Sequence, residues 1–120
     1  MKEVYDLLCT ADICFLAVCE GSQPHLHPFD AFFLHKDRLY FCTGRAEAVT
    51  RLLHLNPRLE LCAVLEDGRL CVEGSAVLDT DRAVRSALIS GDDDDELWYL
   101  RNCTLTRYYL TEPPKSRRIG

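Results

Sequence analysis

The 120-residue chain contains no apolar run near the length of a membrane-spanning helix. It also lacks the basic-then-apolar pattern of a secretory leader, so none is expected. Basic residues are in deficit: 14 Lys and Arg stand against 19 Asp and Glu, a formal net charge of -5. A general nucleic-acid binder needs the opposite balance, so that class is excluded. Seven cysteines lie at positions 9, 14, 19, 42, 62, 71 and 103, yet no C-x-x-C pair occurs and the number is odd. Neither a complete disulfide framework nor a zinc finger is indicated. No serine sits in a nucleophile elbow, and no nucleophile–base pair stands out. The acidic run Asp92 to Asp95 lacks the alternating ligands and closing Glu of a calcium loop, and reads as a solvated loop. Internal repeats and linkers are absent.

What is present is a globular composition, 48% apolar, in one domain spanning 1–120 and large enough for a core. Most cysteines lie inside apolar runs (ICFLAVC, YFC, LELCAV), which suits reduced, buried thiols in a cytoplasmic protein. Val4, Leu7 and Leu8 predict a short helix over residues 2–10. Ile13 to Cys19 is a buried strand by its near-continuous apolar character. Glu20-Gly21-Ser22 turns the chain into a strand from Gln23 to Phe29, with His25, His27 and Phe29 on one face. Pro24 and Pro28 confine that strand to a sheet edge or break it. Ala31 to His35 is a third strand. After Pro57, Leu59, Leu61, Ala63 and Leu65 share a face, Asp67-Gly68 marks a hairpin, and Leu70 to Leu78 return, with Gly74 a bulge or barrel corner. Asp79 or Thr80 caps a helix through Ala83, Val84, Ala87 and Leu88. Glu96 to Arg101 and Thr104 to Thr111 read as the last two strands, and residues 112–120 as a mobile tail.

The stretch Arg38 to Pro57, RLYFCTGRAEAVTRLLHLNP, organises the rest. Leu39 and Phe41 alternate with Tyr40 and Cys42 as a strand. Thr43 caps the following helix and Gly44 turns the chain. Ala48, Val49, Leu52 and Leu53 form an apolar stripe that Asn56-Pro57 ends. The helix start offers free amide N–H groups, a hydroxyl and the Arg45 guanidinium, a combination that suits a phosphate or, equally, an ordinary capped helix with a surface arginine. Short antiparallel connections dominate, so the predicted fold is mainly β (α+β): a six- to seven-stranded antiparallel barrel with two to three flanking helices.

The segment FLAVCEGSQPHLHPFDAFFLHKDRLYFCTGRAEAVTRLLHLNPRLELCAV resembles the FMN-binding split β-barrel proteins of the pyridoxamine 5′-phosphate oxidase-like family. An apolar strand, a Gly turn, a P-h-x-P-f strand, y-F-x-T-g and a helix closed by N-P occur in the family's order. EGSAVLD and LWYLRNCTLTRYYL resemble its later strands, so the likeness covers nearly the whole chain. It implies a homodimer holding FMN in grooves between subunits, and an oxidoreductase acting on a small molecule. It places His25, His27, Pro28 and Phe29 along the flavin groove, and Thr43, Gly44 and Arg45, with Arg51 nearby, at the FMN phosphate.

The chain departs from that pattern where it bears on affinity. His27 stands where many relatives carry arginine, and Glu47 and Val49 occupy positions that are often basic. Neutral histidine supplies one donor where arginine supplies a charged fork. A non-catalytic ligand-binding dimer, or haem or deazaflavin in place of FMN, is therefore the alternative reading. His25 and His27 form an H-x-H pair that serves as a metal half-site only if two further ligands join them; no metal is expected. Tyr99, Trp98, Tyr108 and Tyr109 are available for the ring or the dimer interface, and equally for core packing.

Overall fold

Period-two burial builds the strands. The computed structural model, which describes residues 1–89 and 94–120, places all of them in one antiparallel sheet. The elements are α1 (Lys2–Thr10), β1 (Cys14–Glu20), β2 (Gln23–Phe29), β3 (Phe33–His35), β4 (Arg38–Gly44), α2 (Ala48–Leu55), β5 (Arg58–Leu65), β6 (Gly68–Leu78), α3 (Arg82–Leu88), β7 (Asp95–Tyr109) and β8 (Lys115–Ile119). The order across the sheet is β2-β1-β5-β6-β7-β4-β3, with β8 on β7. This is the predicted antiparallel split barrel, with one more strand than expected. The sheet curls: Phe29 of β2 and Phe41 of β4 meet edge to face with ring centroids 5.8 Å apart, although four strands separate theirs in the order. Helix α2 packs against both β1 and β4, and α1 against β3 and β5, so the helices close the openings. Inside lies one core, to which α1 gives Val4 and Leu8, α2 gives Val49, Leu52 and Leu53, and the strands Leu16, Phe41, Leu61 and Val72.

Several local expectations hold. β2 is an edge strand, where its two prolines cost no ladder bond. The pairing register shifts between Glu73 and Ser75, which puts the predicted bulge at Gly74. Gly68 opens β6 with φ +146°, and a Cβ there would collide with the Tyr108 carbonyl, so only glycine fits this hairpin.

Four expectations need correction. Thr43 does not cap α2: it lies within β4, and the N-cap position is Glu47, four residues later. Asp81, rather than Asp79 or Thr80, caps α3, its carboxylate accepting from the Ala83 and Val84 amides. The two final strands are one, because Asn102 takes a left-handed conformation (φ +57°) that bends β7 without ending it. The tail expected to be mobile forms β8 along Cys103 to Arg107 of β7. That half of β7 lies beyond the reach of β4, which pairs only with residues 95–99, so the tail supplies the missing ladder partner. Of the expected acidic loop, residues 90–93 lie outside the described residues, and Asp95 begins β7.

Candidate functional site

The barrel opening beside α2 carries two grooves that meet at Ile89. The first, about 480 Å³, is walled by His27, Pro28, Phe29, Phe33, Cys42 and Val49. His25, His27 and Phe29 face the barrel interior together, opposite Val18, Leu16 and Cys14 in the register with β1. Phe29 is held by contacts to both Phe41 and Phe32. The Nε2 of His27 is buried and has no hydrogen-bond partner among the described residues. A buried polar atom without a partner is costly, and here it lines a groove. Asp30, Glu47 and Asp95 bring carboxylates to the same walls.

The other expected site residues scatter. The Thr43 hydroxyl is 2% exposed and accepts the Trp98 indole N–H at 2.9 Å, so it satisfies a core donor rather than facing a ligand. The Gly44 amide donates to Glu47 Oε1 at 2.8 Å, while Thr50 Oγ1 donates to the Gly44 carbonyl at 2.6 Å. The Arg45 amide donates to the Asp94 carbonyl at 2.7 Å. Both amides foreseen for a phosphate are thus engaged, one by a carboxylate that itself sits as an anion at the turn. Arg51 and His25 converge on Glu20 of β1, at 3.4 and 3.2 Å, on the exposed side of α2. The structure brings together His27, Pro28 and Phe29, and sets Arg45 in the neighbouring groove.

That second groove, about 700 Å³, lies between the β4–α2 turn, the end of β6 and α3. Arg45, Arg82 and Arg85 line it with Ser86. The sequence analysis missed it, although Arg82 and Arg85 at i and i+3 share a face of α3. Cys42, in the first groove, has its thiol pushed up by burial and then by the Asp95 carboxylate, so it stays protonated at neutral pH. Behind β4, Tyr40 is raised by burial and by donating to Asp79 at 2.8 Å. Neither supplies a nucleophile. Among the described residues no group of three His, Cys, Asp or Glu is placed to hold a metal, and no helix is long and apolar enough to cross a membrane.

This geometry can be set beside that of known proteins. No protein-family model matches the chain, and no curated protein does. Solved structures do. A NimC/NimA family protein from Clostridium acetobutylicum superposes with a TM-score of 0.88 at 21% identity, over 99% of this chain and 92% of that one. The fold is the pyridoxamine 5′-phosphate oxidase-like split barrel. A pyridoxamine 5′-phosphate oxidase-related, FMN-binding protein from Nostoc punctiforme shares it with a TM-score of 0.67 at 14% identity, over 100% and 96% of the two chains. So does a haem-binding protein from Mycobacterium smegmatis, with a TM-score of 0.74 at 15% identity, over 93% of this chain but only 55% of that one. At these identities the likeness is one of fold.

Proposed function

We propose that this split barrel binds FMN in the His27 groove as a homodimer and works as a cytoplasmic oxidoreductase on a small molecule. The observation that carries the reading is the buried, unpartnered Nε2 of His27 in a groove whose apolar wall includes Phe29, Phe33, Pro28 and Val49, with the carboxylates of Asp30, Glu47 and Asp95 at its polar side. Such a wall suits a flat heteroaromatic ring with one polar edge. FMN, when bound, supplies the electron and hydride chemistry itself. The chain's own part is binding, orientation and exclusion of water. Phe29 and Phe33 give the ring an apolar face, and His27 offers one hydrogen bond. Glu47 works against the FMN phosphate, which must displace its carboxylate to reach the Gly44 amide.

Two features support a dimer. The outward face of β2, β1 and β5 presents Leu26 at 69% and Val64 at 50% exposure beside Phe15 and Ala17, and no residue of α3 is buried, so its apolar Ala83, Val84, Ala87 and Leu88 have no core to enter. Seven cysteines without a disulfide suit a reducing compartment.

A second reading has an observation of its own: an imidazole nitrogen without a hydrogen-bond partner, on a residue that lines a groove, is also a donor that could hold a haem iron. One experiment addresses both. The ligand-free chain is titrated with FMN and with haemin, following the visible spectrum, and the same is done with His27→Leu. Flavin binding that weakens about tenfold in His27→Leu supports the first reading. Haem uptake whose spectrum changes in the variant supports the second. Binding of neither removes both, and light scattering that finds a monomer at micromolar concentration removes the shared site. The redox step is checked by reducing the bound flavin and timing its reoxidation by small acceptors against free FMN.

A further inference from the structure

We propose that the groove between the β4–α2 turn and α3 is a second ligand site, built for an organic oxyanion, a phosphate or a carboxylate. Three of the chain's 14 basic residues, Arg45, Arg82 and Arg85, line this one groove of a protein whose net charge is -5. Its two carboxylates are turned to other partners. Asp79 accepts from the Tyr40 hydroxyl at 2.8 Å and from the Asp81 amide at 3.0 Å, and Glu96 pairs with His54 at 2.7 Å. The side chains of Arg45 and Arg82 have no acceptor among the described residues. Two guanidinium groups, those of Arg45 and Arg82, that line one open groove without an acceptor among the described residues make it an oxyanion site by charge. Ser86 adds a hydroxyl, and Leu78 and Ile89 give apolar wall for the organic part. Among the described residues the groove shares none of the His27 groove's polar residues, and the two have only Ile89 in common. An anion held here would lie beside whatever fills the first groove, as an anionic reaction partner should. The inference stands whether or not that first groove takes flavin.

Calorimetric titration of the full-length, FMN-free chain with phenyl phosphate, benzoate and benzyl alcohol tests it. Both anions, or one of them, should bind saturably and the neutral alcohol should not; which anion binds tighter names the source. Arg82→Gln should weaken anion binding about tenfold and leave FMN binding, scored separately by colour, unchanged. Arg69→Gln is the control, since Arg69 stacks on Tyr108 at 3.9 Å and lies outside the groove. No saturable anion binding below about 10 mM overturns the proposal. So does an equal loss in Arg69→Gln and Arg82→Gln, which would mean diffuse electrostatics. FMN affinity falling in step with Arg82→Gln also overturns it, because the groove would then belong to the flavin site.

Discussion

Replacing Thr43 by valine separates two roles that the residue was open to. In the structure its hydroxyl is the acceptor for the indole N–H of Trp98, at 2.9 Å, between side chains 2% and 3% exposed. Valine keeps the shape and suits the strand, so packing is nearly unchanged and the perturbation is the bond alone. The indole N–H is left buried without a partner, which costs about 1–3 kcal/mol. For a chain of this size that lowers the melting temperature by roughly 4–12 °C. Urea unfolding followed by circular dichroism, at one protein concentration so that any association cancels, measures it. Trp98→Phe and the double variant complete a cycle whose coupling should be about 1 kcal/mol or more, the double variant losing less than the sum. FMN affinity should barely move. A Thr43→Val protein as stable as the parent, with additive cycle energies and FMN binding weakened tenfold, would refute this and return the hydroxyl to the ligand.

Other consequences are as direct. Gly68→Ala should destabilise by at least about 2 kcal/mol, because alanine can neither adopt φ +146° cheaply nor avoid the Tyr108 carbonyl; a melting temperature within a degree of the parent would contradict that. Burial raises the Cys14 and Cys71 thiols to about 12 and Cys103 to about 11, from an ordinary 9.0. Since the folded values lie above the unfolded ones, their stabilising effect is complete below about pH 8.5 and is lost progressively as pH rises toward about 12, so unfolding midpoints should fall over that window. At pH 7.5 a bulky thiol reagent should label exposed Cys9 promptly and those three only on unfolding. Glu47→Gln, which removes the negative charge at the Gly44 amide, should tighten FMN binding several-fold, and a weakening would show that the carboxylate helps rather than competes.

The barrel was legible in the sequence because its signals are local. A near-continuous apolar run marked β1, alternation marked β5 and β6, Asp67-Gly68 marked the hairpin between those two, and two prolines marked β2 as an edge. The errors share one cause. Arg101-Asn102 looks like a strand end, but Asn tolerates the left-handed region and β7 continues through it. Residues 115–119 carry little apolar pattern, and become a strand only because β4 leaves half of β7 unpaired. Thr43 has the chemistry of a cap; it is a strand residue because Trp98, 55 positions away, needs its oxygen.

The candidate site divides in the same way. The sequence by itself determined that His25, His27 and Phe29 share one face, since strand neighbours two apart must point the same way. It also determined that the cysteines form no paired framework and that basic residues are too few for a nucleic-acid surface. Only the tertiary structure decided which of those residues meet. It left His27 Nε2 unpaired on a groove, sent His25 and Arg51 to Glu20, and filled the Gly44 amide with the Glu47 carboxylate. It also brought Arg45 from the β4–α2 turn to Arg82 and Arg85 of α3. The physical reason is that covalent spacing sets a side chain's direction along one element, whereas its partner is chosen by the curl of the sheet, which joins residues tens of positions apart.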